Sequence, residues 1–191
     1  MSHTDSMYQL LGLAKTSEAL QFYNECFAKG KIEKKYWAIV EKNQALDRLF
    51  KNSNNTNEFN LLSHYLWVDG RINKSFASTF ANPEKNSKKA NLKWRLVGMG
   101  ENYAFLEIDL LTGRHHQIRA QLAAEGIFIK GDLKYEAKRS EKEGGIRLHA
   151  ASFTFPLYNR RNETKHEIKT LNAEPFLIDP LWEAFIKVYK N

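Results

Sequence analysis

At 191 residues, with 42% apolar and 27% charged side chains, the chain is long enough for one sizeable core and too apolar for a disordered chain; no linker divides it, so one domain of mixed α and β structure is expected. A formal net charge of +7 favours an acidic partner, nucleic acid foremost. The single cysteine, Cys26, excludes an internal disulfide, and neither a signal peptide nor a membrane-length apolar run is evident, so a soluble cytoplasmic protein is expected.

Taken in order, residues 10–14 form a short apolar run that reads as a buried strand, followed by Thr16 and Ser17 as cap candidates. A helix then runs to about Ala28, with Leu20, Tyr23, Asn24 and Phe27 at spacings of three and four, Cys26 in the core and Gly30 as the stop. Residues 32–40, with Tyr36, Trp37, Ile39 and Val40 among lysines, predict a strand. Residues 43–60 read as a polar loop. Residues 61–68 predict another strand ending at Asp69-Gly70, and residues 82–91 a solvated basic excursion.

Residues 92–99 and 103–110 alternate apolar and polar positions on either side of Gly100-Glu101-Asn102, which predicts a strand pair. A helix is expected from Arg114 to Glu125, stopped by Gly126, with Ile118, Leu122 and Ala123 toward the core. Residues 127–129 read as a short buried strand, 139–145 as a charged loop, and 146–155 and 165–171 as strands. Asp179-Pro180 opens a terminal helix with Leu181, Phe185 and Val188 on one face.

The densest chemical signal is LLTGRHHQIRAQLAAEG, residues 110–126. In a helix starting at Arg114, His115 and Arg119 share a face, while Arg114 and His116 lie at the start, where backbone amides also receive phosphate. Such a cluster suits an anion. A metal site at His115 and His116 is the rival, but adjacent histidines do not share a face as an i, i+4 pair does, and no nearby carboxylate completes a ligand set. A polar helix that only hydrogen-bonds its neighbours is the plainer alternative.

The stretch TGRHHQIRAQLAAEGIFIKGDLKY resembles the signature segment of the RluA-type pseudouridine synthases, and the similarity continues through GGIRLHAASFTFP. Upstream, AKTSEAL followed by KKYWAIV is similar to the family's second block in content, order and spacing. The resemblance implies an α+β fold: a mixed, mainly antiparallel central sheet flanked by helices. It also implies isomerisation of uridine to pseudouridine in structured RNA, ribosomal or transfer, without metal or organic cofactor. A catalytic aspartate would attack the flipped-out nucleoside, and Arg119 would be the cation that keeps that aspartate ionised. Tyr36 matches the family's active-site tyrosine, which stacks on the base, and Leu148 matches an apolar residue packed against the site. Flipping a nucleotide costs a few kcal/mol, which phosphate contacts and stacking offset. Arg114, His115, His116, Gln117, Lys130 and Lys134 are the expected RNA-contacting residues.

The catalytic aspartate of the family stands in an HRLD segment followed by Ser-Gly, whereas this chain begins MSHTDSMYQLLGLAKT. Either Asp5 supplies the nucleophile in a degraded motif, or the chain is a shortened catalytic domain that lacks the N-terminal strands, with the true motif upstream of Met1. An inactive RNA-binding module that keeps the cleft is the alternative to an active synthase.

Overall fold

The computed structural model describes residues 16–51, 58–142, 144–159, 167–175 and 178–190. The strand expected at 10–14, and Asp5 with it, lie outside the described residues. The elements run α1 (Ser17–Ala28), β1 (Glu33–Glu41), α2 (Gln44–Lys51), β2 (Asn60–Asp69), β3 (Lys74–Ser78), β4 (Lys88–Met99), β5 (Tyr103–Leu110), α3 (Gln117–Ala124), a 3-10 turn at Leu133–Tyr135, β6 (Leu148–Pro156), β7 (Ile168–Asn172) and α4 (Pro180–Lys190). The strands form one sheet in the order β3-β2-β4-β5-β1-β6-β7. Every pairing among them is antiparallel, so the mixed sheet narrows to an antiparallel one.

Alternation decides which face each strand residue takes. On one face Ala38, Val40, Leu62, Leu92, Trp94, Leu106, Ile108 and Leu148 pack under Ile118 and Leu122 of α3, Leu46 of α2 and the buried Ile127 and Ile129. On the other, Trp37, Ile39, Phe105 and Ala151 are covered by Trp182 and Phe185 of α4. That helix comes close enough to the sheet that a Cβ on Gly98 would stand 2.8 Å from Cγ1 of Val188.

The start of α1 follows the expected cap, since Thr16 Oγ1 accepts from Ala19 N at 3.2 Å. Five local expectations are corrected. The supposed polar loop contains α2, because Asn43 Oδ1 accepts from Leu46 N at 2.9 Å and fully buried Leu46 and partly buried Leu49 give the segment an apolar side. Lys88–Asn91 belong to β4 rather than to a basic excursion, for their backbones pair with residues 63–66 of β2. Residues 127–129 make only an isolated bridge, Val40 to Ile129. On α4 the deep residues are Trp182 and Phe185, while Val188 is 42% exposed. Finally, α3 begins at Gln117, not Arg114, so His115 and Arg119 do not share a helix face.

Candidate active site

The late start of α3 shapes the site. His116 occupies the N-cap position in the left-handed region, φ 48°, a conformation uncommon for a residue with a Cβ. The preceding loop is fastened by Gln117, which is buried. Its Oε1 accepts from Thr112 Oγ1 at 2.8 Å and from Arg114 N at 3.0 Å, and its Nε2 donates to Asn91 O at 3.0 Å. The Gln117 amide therefore braces the loop from within the protein, and the exposed neighbours Arg114 and His115 are presented by it.

Arg119 points the other way, into the protein. Its Nε and NH2 groups donate to the two carboxylate oxygens of Asp132, each at 2.8 Å, and its guanidinium lies 4.8 Å from the ring centre of Tyr135. The side chains of Arg119 and Asp132 are 7% and 1% exposed. A buried charge of that kind is tolerated only when paired with good geometry, and the two parallel bonds of the fork provide it. Asp132 is carried there by the turn at Gly131, whose φ of +88° suits glycine and whose added Cβ would stand 2.7 Å from Gly145 O.

Around this pair runs a polar chain from β3. Ser75, 1% exposed, donates its backbone N–H to Tyr135 OH at 2.9 Å. Its Oγ lies 2.6 Å from His115 O and 2.9 Å from His115 Nδ1. A hydroxyl has one proton; with that proton on the carbonyl, Nδ1 must be the donor in the second contact, which leaves Nε2 to a partner outside the loop. The His115 and His116 rings lie 3.9 Å apart, and His116 Nδ1 is 3.2 Å from Tyr135 OH. Burial holds the Tyr135 phenol above its ordinary pKa, partly opposed by the Ser75 N–H and the Arg119 charge.

Other expected residues lie at different places. Lys134 is exposed on the same rim and donates to Asn73 O at 3.0 Å. Tyr36, on β1, packs against the apolar cluster on the α3 face of the sheet, and burial raises its pKa, so it is a neutral phenol at pH 7. Leu148 is buried in that same cluster, with its backbone paired to Ala38. Lys130 stands apart: its side chain pairs with Glu141, and Nζ is 5.6 Å from the Tyr103 ring centre. Burial lowers its pKa, with Arg147 adding to the effect.

The residues missed in the sequence are Asp132, Tyr135 and Ser75. The first two stood in GDLKY, where a glycine turn followed by Asp and, three residues later, Tyr is a signal that a buried partner for Arg119 could have been sought. Ser75 gave no such signal.

The family described as RNA pseudouridylate synthase matches residues 10–124, more than half of the chain. An uncharacterized RNA pseudouridine synthase of Mycoplasma genitalium is 28% identical over 77% of this chain and 55% of its own length. One of Zymomonas mobilis is 24% identical over 91% and 68%, and an RNA pseudouridylate synthase domain-containing protein of Danio rerio is 26% identical over 82% and 50%. The chain thus spans about half to two thirds of the length of these curated relatives. Among solved structures, human RNA pseudouridylate synthase domain containing 1 superposes with a TM-score of 0.63 at 21% identity, covering 90% of this chain and 66% of that one. Human RNA pseudouridylate synthase domain containing 4 gives 0.58 at 16%, covering 92% and 69%. These two likenesses concern the fold. With the match to more than half its residues, the chain belongs to the RNA pseudouridylate synthase family.

Proposed function

We propose that this chain carries the catalytic cleft of an RluA-type RNA pseudouridine synthase that isomerises a uridine in ribosomal or transfer RNA. In this reading an aspartate carboxylate, that of Asp5 where this chain supplies it, attacks the flipped-out nucleoside, the C–N glycosidic bond breaks and the base turns. A C–C bond then forms to the same sugar as the bond to the aspartate is released, the base carbon losing a proton and the freed ring nitrogen gaining one. Product and substrate contain the same atoms, so the overall change needs neither oxidant nor cofactor. Arg119 stabilises the ionised nucleophile, and Asp132 fixes the plane in which its guanidinium is offered. Tyr36 meets the base as a neutral phenol, and Leu148 forms the apolar floor. Arg114, His115, His116 and Lys134 take phosphates along the rim, whereas Gln117 and Lys130 serve the frame that holds it.

The observation that carries the reading is a buried, fork-paired Arg119 linked through Tyr135 and Ser75 to exposed His115, with Arg114 and Lys134 also exposed beside these residues in sequence, in a chain of this family. The test is pseudouridine formation on ribosomal and transfer RNA, together with covalent trapping by RNA containing 5-fluorouridine. Asp5→Ala should abolish both, and Arg119→Ala should lower turnover by about 100- to 1,000-fold, the usual effect of removing one preorganised charge-stabilising donor. Turnover that survives Asp5→Ala but not Arg119→Ala would move the nucleophile elsewhere. RNA retention with no turnover by the unaltered chain would make it a binding module that keeps the cleft.

A further inference from the structure

Among the described residues, the sheet face that carries α4 is covered over only part of its width. At the β3-β2-β4 end, the alternation that sends Leu62, His64 and Leu66 toward α3 sends Tyr65 and Trp67 to the opposite side, and Phe76 of β3 and Lys89 and Lys93 of β4 join them. Trp67 and Phe76 are directly opposed across the strand pair. Their rings stack at 5.7 Å and 16°, both half-buried. Tyr65 pairs with Lys89, and Leu61, 57% exposed, pairs with Lys93. Lys89 and Lys93 are exposed, and among the described residues neither has a carboxylate partner.

One residue joins this patch to the cleft. Lys74 Nζ lies 5.6 Å from the Phe76 ring centre and 5.0 Å from that of Tyr135, so it stands at the β3 edge between the stacked pair on one face and the Arg119 partner on the other. Flat aromatic surface interleaved with unpaired lysines at strand spacing is what single-stranded nucleic acid uses, with bases on the rings and phosphates on the ammonium groups. A protein partner of the same area would have to leave the two lysines uncompensated unless it brought its own carboxylates.

We propose that the outer face of β2, β3 and β4, centred on Trp67 and Phe76, binds a single-stranded stretch of RNA that passes around the β3 edge at Lys74. The proposal rests on RNA being the substrate and adds a second, remote contact outside the cleft. Of the four tryptophans, Trp37, Trp94 and Trp182 are buried at 8%, 1% and 5% exposure, so a base that stacks from solvent should quench Trp67 selectively.

The test uses a labelled oligouridine of about twelve nucleotides, within the usual span of such sites. Tryptophan emission should fall in step with the anisotropy of the label, and Trp67→Ala should weaken binding roughly tenfold, as loss of one stacked base does. The exposed double variant Lys89→Gln/Lys93→Gln, which leaves the core untouched, should lower the slope of log affinity against log salt by about 1.4, two phosphates' worth for a single strand. Arg114→Gln, on the cleft rim, should leave the quench in place. Binding with unchanged emission, and with wild-type affinity and salt slope in both variants, overturns the outer site while the cleft reading stands. No oligonucleotide binding by any form likewise overturns the outer site, while the cleft reading is decided separately by turnover on ribosomal and transfer RNA.

Discussion

On one face of the sheet Arg119 and Asp132 form a single buried fork. On the other, fully buried Glu107 accepts from Lys35 at 3.2 Å, from Tyr189 OH at 2.8 Å and from Arg95 Nε. Both sites place a carboxylate among cations inside the protein, yet their surroundings differ. Lys35 and Arg95 are 37% and 30% exposed, so water reaches the cations and the buried partner is the acid. At the fork both members are sealed, and the solvent-facing charges belong to the neighbouring loop. Buried charge by itself therefore does not distinguish the two; what sets the proposed site apart is a sealed cation beside an open basic rim.

The largest expected effect separates the two networks. Asp132→Ala removes the two-bond carboxylate from a buried guanidinium, which should cost about 3–5 kcal/mol in urea unfolding. Glu107→Gln should cost less, about 1.5–3 kcal/mol, because Lys35 and Arg95 can turn to water. Equal losses would show that exposure of the cations does not decide the cost.

The Glu107 site also carries a pH signature. Burial alone would raise the Glu107 pKa, but the bonds from Tyr189 and Arg95 and the Lys35 charge outweigh it, and the net shift is downward. A carboxyl depressed on folding contributes stability that is fully present above its unfolded pKa and is lost as pH falls through the folded value. Asp109, 3.6 Å from Lys35, is pushed the other way, chiefly by burial, and works against this trend. The gap in stability between the unaltered chain and Glu107→Gln should thus be widest near neutrality and close on acidification. A gap independent of pH would remove Glu107 as the cause.

Much of the frame was legible because it follows short-range rules. β5 alternates so regularly that its limits, Tyr103–Leu110, were those expected, and the Thr16 cap was read from the chain alone. What escaped depends on partners distant in sequence. β3 is five residues long, and its role comes from Ser75 meeting His115, forty residues on. α2 hid behind Asp47, Arg48 and flanking asparagines, with Leu46 and Leu49 on its buried side among the described side chains. Arg119 was recognised by resemblance, and an aspartate was expected opposite it. The aspartate in the described residues is Asp132, thirteen positions along, delivered by a glycine turn whose geometry no periodicity encodes.

That turn gives the next expected effect. At Gly131 an alanine meets both a positive φ of +88° and a backbone oxygen 2.7 Å from its Cβ, and a carbonyl cannot swing away as a side chain can. Gly131→Ala should therefore lower stability by about 1–3 kcal/mol in thermal unfolding and, by displacing Asp132, slow any turnover that depends on Arg119. Gly98→Ala is the control, since its close neighbour is the Val188 side chain. A Gly131→Ala chain as stable as the Gly98→Ala chain would mean that the loop bearing Asp132 shifts freely and does not position the fork.

The smallest effect belongs to the rim. Ser75→Ala keeps the backbone bond from Ser75 N to Tyr135 OH but removes the hydroxyl that holds both the carbonyl and the ring of His115. The fork stays intact, so the cost should be that of one ordinary hydrogen bond, about 1 kcal/mol in urea unfolding. The ring should respond more than the stability does: without Oγ the Nδ1–H form of His115 is no longer imposed, and its two ring-nitrogen NMR shifts should move toward a mixture of tautomers. If instead Ser75→Ala destabilises as much as Asp132→Ala, rim and fork unfold as one unit, and the sealed pair could not be tuned separately from the surface proposed to meet RNA. A cheap loss with a freed ring keeps them distinct, with a rigid cation behind and an adjustable basic edge in front.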